Sequence, residues 1–148
     1  AGDAMTRLDS VTFTVPWVRG KARPRFTRRG GTYTDGRTER AMDEIAWRFR
    51  EVLAQGGRGG EVPTFGTDAV QVSIHVHCEL PKSRPKRVES EEYCFTPDVD
   101  NVAKLVLDAL NGVAWVDDRQ VVGLTVLKLP RVRGSGTHTD VRVSRVKR

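Results

Sequence analysis

In residues 69–80, AVQVSIHVHCEL, apolar and polar side chains alternate without a break from Val70 onward. Val70, Val72, Ile74, Val76, Cys78 and Leu80 face one way; Gln71, Ser73, His75, His77 and Glu79 face the other. A period of two sustained over this length fits a strand with one covered face and excludes a helix. Such a strand needs partners and a cover, and the rest of the chain supplies both. VTFTVP, residues 11–16, places Val11, Phe13 and Val15 on one face before Pro16 ends it. QVVGLTVLKL, residues 120–129, is almost wholly apolar, which predicts a central strand covered on both faces. TDVRVSRV, residues 139–146, alternates again and is expected beside it.

Two segments carry helical periodicity instead. From Arg37 to Gln55, Met42, Ile45, Phe49, Val52 and Leu53 recur on one face, and Gly56-Gly57 is a fitting stop. In TPDVDNVAKLVLDALNG, Val102, Leu105, Val106, Ala109 and Leu110 form one apolar stripe, closed by Asn111-Gly112. The order β-α-β-α-β-β predicts an α+β domain: a small mixed β-sheet with two main helices packed on it. A chain of 148 residues suits one such domain, taken as 1–148, with AGDA before Met5 read as a cloning remnant. No apolar run approaches the ~18–20 residues of a membrane span. Cys78 and Cys94 have no metal-type spacing and are expected to be free thiols of a cytosolic protein.

Charge is the second constraint. The net charge is +6, and it is clustered. Arg19, Lys21, Arg23, Arg25, Arg28 and Arg29 load the Gly/Pro-rich loop 19–35. Lys82, Arg84, Lys86 and Arg87 load a second loop, 81–96. Such clusters suit a polyanion, although a merely soluble basic surface has the same composition. Residues 89–118 invert the pattern, with eight acids against one base, Lys104.

Within that zone Asp98 and Asp100 flank one residue at the mouth of the second helix. Asp100 or Asn101 is the expected N-cap, which accounts for one carboxylate and leaves the other without a capping role. In extended backbone an Asp-x-Asp presents both carboxylates to the same side, the oxygen pair a hard cation such as Mg²⁺ seeks. Asp117-Asp118 is a β-turn or a further pair of ligands. It reaches Asp98 only if residues 112–117 run back along the helix. Lys104, four residues after Asp100, is either a surface ion-pair partner or a cation placed beside a phosphate. His75-x-His77 has zinc-ligand spacing on one strand face, with Glu79 as a third candidate, but no matching Cys/His cluster accompanies it in the sequence, so a solvated or DNA-side face is expected.

These residues resemble the RusA-like Holliday-junction resolvases. PDVDNVAKLVLDALNGVAWVDDRQVV follows that family's signature; GKARPRFTRRGGTYT and LPKSRPKR resemble its basic segments. The resemblance implies a Mg²⁺-dependent endodeoxyribonuclease, with Mn²⁺ as a substitute, acting as a homodimer on four-way or branched DNA. It implies Asp98, Asp100 and Asp118 as metal-binding catalytic carboxylates, with Asp117 behind them. Lys104 matches a catalytic lysine. Lys21, Arg23, Arg25, Lys82 and Lys86 fall in the DNA-contacting segments. The implied setting is recombination and repair in the cytoplasm of a bacterial or phage-infected cell. A non-catalytic branched-DNA-binding module and a metal nuclease for flaps or forks remain the alternatives.

Overall fold

The computed structural model describes residues 8–22, 25–26, 32–33, 36–57 and 62–146. Alternation becomes sheet where it was expected. The strands β1 (Ser10–Val15), β4 (Val70–His77), β6 (Val121–Lys128) and β8 (His138–Arg145) form one four-stranded sheet. Its order is β1-β8-β4-β6, with β8 antiparallel to both neighbours and β6 parallel to β4. The helices α1 (Gly36–Gln55) and α2 (Val99–Leu110) cover one face. Val11, Phe13, Val15, Val70, Val72, Ile74, Val76, Val141 and Val143 meet Ile45, Phe49, Leu105 and Leu110 in a single core. The Phe13 and Phe49 rings meet edge-on, 6.0 Å between centroids, tying β1 to α1. The expected mixed-sheet α+β architecture holds.

Two short ribbons complete the fold. β2 (Arg25–Phe26) pairs antiparallel with β3 (Thr32–Tyr33) inside the segment read as the first basic loop. β5 (Ser90–Glu91) pairs with β7 (Arg131–Val132), so the second basic loop is laced to the far end of the sheet. Arg84 and Arg131 both bond the Glu91 carboxylate, and Arg133 donates to the Val88 and Pro85 carbonyls. Those guanidiniums, Arg84 first, hold Glu91 below the usual carboxylate range.

One expectation about the sheet fails. The apolar run at 120–129 is an edge strand, not a central one, and β8 lies between β1 and β4 rather than beside β6. Val122, Leu124 and Leu127 are 53%, 45% and 46% exposed. A run of apolar residues reports covered faces, but it does not say whether the cover comes from the same chain.

Candidate active site

The chain enters α2 through a well-anchored corner. Tyr93 is buried and donates its hydroxyl to the Thr96 carbonyl at 2.9 Å. Burial, with the Cys78 thiol beside it, pushes Tyr93 up to about 12, so it remains a donor at neutral pH. Lys128 reaches from β6 to the Phe95 carbonyl and lies 4.3 Å from the Tyr93 ring centre. On the other side Gly20 approaches so closely that a Cβ there would sit 2.8 Å from the Pro97 Cβ and 2.9 Å from the Asn101 Cβ. Next to it the Lys21 amide donates to the Asn101 carbonyl. The first loop therefore packs directly on the first turn of α2.

This corner presents Asp98 and Asp100 to solvent. The helix starts earlier than expected: Asp98, not Asp100 or Asn101, occupies the N-cap position, with φ −71° and ψ 152°. Asp98 makes no side-chain cap hydrogen bond. Asp100 is already helical, so the pair does not project from one extended segment. Both carboxylates instead crown the positive end of the α2 dipole, where negative charge is favoured. Lys104 stands one turn on, its Nζ 3.9 Å from Asp100 Oδ2, with both side chains about two-thirds exposed at 63% and 66%. An ion pair that exposed contributes little to stability.

Asp117 and Asp118 sit elsewhere. Residues 112–117 do not run back along α2. Val113 and Ala114 donate to the Leu110 carbonyl, and Gly112, at φ +80°, donates to the Trp115 carbonyl. The chain thus wraps tightly around the C-terminal end of α2 and buries Trp115 completely. Burying a whole indole outweighs an extended return in solvent. Asp117 then caps a short 3₁₀ turn, Asp118–Gln120, accepting from the Arg119 amide at 2.9 Å, while Gln120 accepts from the Asp117 amide in return. Trp115 Nε1 donates to Asp118 Oδ1 at 2.8 Å. Sequence reasoning missed these positioning roles, although Asp117…Gln120 has the spacing of a capping box.

The two acidic stations lie at opposite ends of β6. Asp98 and Val99 share a groove with Val126, Leu127 and Lys128 at the end of the strand. Asp118 opens the 3₁₀ turn that leads into its start at Val121. Six residues of strand rise about 20 Å. Among the described residues no three carboxylates bring ligand oxygens within 4.8 Å of one another. As a donor set, Asp98, Asp100 and Asp118 are all hard oxygen ligands, which fits Mg²⁺ chemically. Within one chain they do not converge.

The basic residues divide as well. Lys21 is held on α2 by Asp108, at 2.5 Å. Lys82 and Lys86 are exposed on the braced second loop. Arg23 lies outside the described residues, and for Arg25 only the backbone, in β2, is described.

A family model described as Endodeoxyribonuclease RusA matches residues 16–144, a span that contains both acidic stations and both basic loops. The chain belongs to the RusA endodeoxyribonuclease family. It is accordingly an enzyme that hydrolyses phosphodiester bonds. Among its relatives, Crossover junction endodeoxyribonuclease RusA of Escherichia coli strain K12 is 26% identical over 128 residues, 86% of this chain and 89% of the relative. The protein of the same name from Enterobacteria phage 82 is 27% identical over 128 residues, with the same coverage of 86% and 89%. Uncharacterized protein YqaN of Bacillus subtilis strain 168 is 31% identical over 140 residues, 84% of this chain and 94% of the relative. The family assigned from the acidic signature is the one the comparisons return.

Proposed function

We propose that this RusA-family enzyme is a Mg²⁺-dependent, structure-selective endonuclease that resolves four-way DNA junctions in recombination and repair. It works as a homodimer whose active sites are shared between subunits. The observation that carries the reading is the antiparallel run of α2 and β6, with carboxylates at both ends of an open apolar edge. A two-fold axis normal to the sheet lays β6 antiparallel to β6 of a second copy. That apposition covers Val122, Leu124 and Leu127. It also brings Asp118 of the partner subunit toward Asp98 and Asp100 of the first. Each dimer then holds two acidic sets, as paired nicks in a near-symmetric junction require.

Asp98 and Asp100, with Asp118 of the partner subunit, hold the cation; Mn²⁺ meets the same oxygen preference. Mg²⁺ bound there supplies Lewis-acid polarisation of the scissile phosphate and activation of water. Asp117 and Trp115 fix the Asp118 carboxylate. Lys104, beside Asp100, stabilises the negative charge that develops on the phosphate. Lys82 and Lys86, with the Arg23 and Arg25 segment, neutralise backbone phosphates and orient the junction. Lys21 positions α2 through Asp108 as well as adding to this positive surface. A bacterial or phage-infected cytoplasm is the setting that suits the named relatives.

The test uses a mobile four-way junction, a flap, a fork and linear duplex, each with and without Mg²⁺. Selective, Mg²⁺-dependent cleavage of the junction is expected. Equal cutting of flaps or forks makes it a general branched-DNA nuclease; binding without cleavage makes it a binding module. Subunit mixing tests the shared site. Asp98→Asn and Asp118→Asn homodimers are each inactive. A heterodimer of the two retains one complete site only if the site is shared. It should nick a plasmid-borne cruciform to open circle without linearising it. No recovery, from homodimers that both bind junctions, makes each site a single-subunit one.

A further inference from the structure

The uncovered face of the sheet carries a second cluster of ligand-type side chains, unrelated to the carboxylates on α2. His77 ends β4 and lies directly opposite His138, the first residue of β8. Asp140 is two residues along β8 and faces the same side. His77 Nε2 is 3.1 Å from Asp140 Oδ2, and His138 Nε2 is 3.6 Å from the same oxygen. The two imidazoles lie nearly parallel, 13° between planes and 4.2 Å between centroids. One ligand atom from each residue falls within 4.8 Å of the other two, and all three residues are half-buried.

We infer that His77, His138 and Asp140 form a site for a transition-metal ion of the zinc class, one per chain. Three features carry this. First, two imidazole nitrogens and one carboxylate oxygen converge. That donor set suits Zn²⁺, Co²⁺ or Ni²⁺ and is a poor match for Mg²⁺, which prefers all-oxygen surroundings. Second, ligands at roughly 2.0–2.1 Å from a tetrahedral ion stand about 3.3–3.5 Å apart. The observed 3.1 and 3.6 Å bracket that spacing. A modest fanning of the stacked rings about their side-chain torsions brings each lone pair onto a shared ion. Third, the carboxylate is already oriented from behind. Thr14 on β1 donates to Asp140 Oδ1 at 2.7 Å, leaving Oδ2 directed at the imidazoles. Metal-ligating carboxylates are commonly held by such an outer hydrogen bond.

The ligands stand on paired strands, and three protein ligands leave a fourth position for water. The ion would clamp β4 to β8 where two basic segments meet the sheet. The chain leaves His77 toward Lys82 and Lys86, and it returns through Arg131 and Arg133. Just beyond the site the Glu79 amide donates to Thr137 Oγ1. The clamp therefore stabilises the base of the second basic loop and takes no part in hydrolysis.

The experiment is a Co²⁺ titration of the chelator-treated full-length protein, read by visible absorption. Zn²⁺ competition and melting curves accompany it. One Co²⁺ per chain with visible bands of low coordination number is expected, displaced by Zn²⁺ and unaffected by millimolar Mg²⁺. His77→Gln and His138→Gln should each remove the bands and the Zn²⁺-induced rise in melting temperature. Their metal-free melting curves serve as the check on folding. His75→Gln, on the same strand face, and Asp98→Asn should leave binding unchanged. Thr14→Val should weaken affinity by about 10-fold through the lost outer hydrogen bond. Bands that survive His138→Gln, intense thiolate-to-cobalt absorption from Cys78 or Cys94, or no binding at tens of micromolar metal would each overturn the assignment. In the last case the cluster is an ordinary histidine–aspartate ion pair.

Discussion

Asp98 and Asp117 occupy the same local position, the N-cap of a helical turn, and only one of them caps. Asp117 bonds the Arg119 amide and completes a reciprocal pair with Gln120. Asp98 heads a twelve-residue helix and leaves its carboxylate unused in capping. An N-cap bond contributes about 1 kcal/mol. The short turn takes that stabilisation, while the long helix, held by Val102, Leu105, Val106, Ala109 and Leu110 in the core, does without it. Asp117 is thus structural support for its neighbour Asp118. Asp98 is available for a ligand because packing, not capping, secures its helix.

Asp98→Asn separates the two aspartates most sharply. It should lower cleavage by at least roughly 10²–10³-fold, with junction affinity retained and the melting temperature unchanged. A parallel loss of binding and melting temperature would make Asp98 a folding residue after all. Lys104→Ala is next, with a fall of about 10²-fold in single-turnover cleavage. Its 3.9 Å contact with Asp100 is too exposed to matter for stability. A near-wild-type rate removes it from the chemistry.

Gly20→Ala tests whether the Asp98 corner depends on the loop packed against it. The added methyl meets the Pro97 and Asn101 Cβ atoms below van der Waals distance. A loss of about 1–3 kcal/mol in denaturant unfolding is expected, with cleavage falling further than stability alone predicts. Stability equal to wild type would show that the corner yields without cost. The smallest effect belongs to Asp117→Ala: about 1 kcal/mol from the lost cap, and a partial loss of cleavage as Asp118 loosens. Asp117→Ser, which can still cap, should recover most of both. If Asp117→Ser instead behaves like Asp98→Asn, the carboxylate itself is used and the two aspartates are equivalent.

Local pattern in the sequence was enough for the elements and for the acidic signature. Alternation in 69–80 marks a strand because side chains on a pleated backbone must alternate. The stripe in 99–111 marks a helix because only a helix collects those positions on one face. Family membership followed from the same local spacing, since metal-type carboxylates and their flanking residues lie within one short run of chain. What spacing could not supply is where distant runs meet. The nearly all-apolar 120–129 segment reads identically whether its cover is its own chain or another surface, so its place at the sheet edge was decided only by the pairing of the strands. Asp118 could reach Asp98 within one chain only by a return along α2, but burial of Trp115 turned the chain the other way. The sequence offered His77 only neighbours on its own strand as ligand partners. Its partners sit on β8, and only the β4–β8 register sets His138 and Asp140 against it. Hydrogen bonding between strands is indifferent to sequence separation, so a site built across two strands becomes legible only once they are paired.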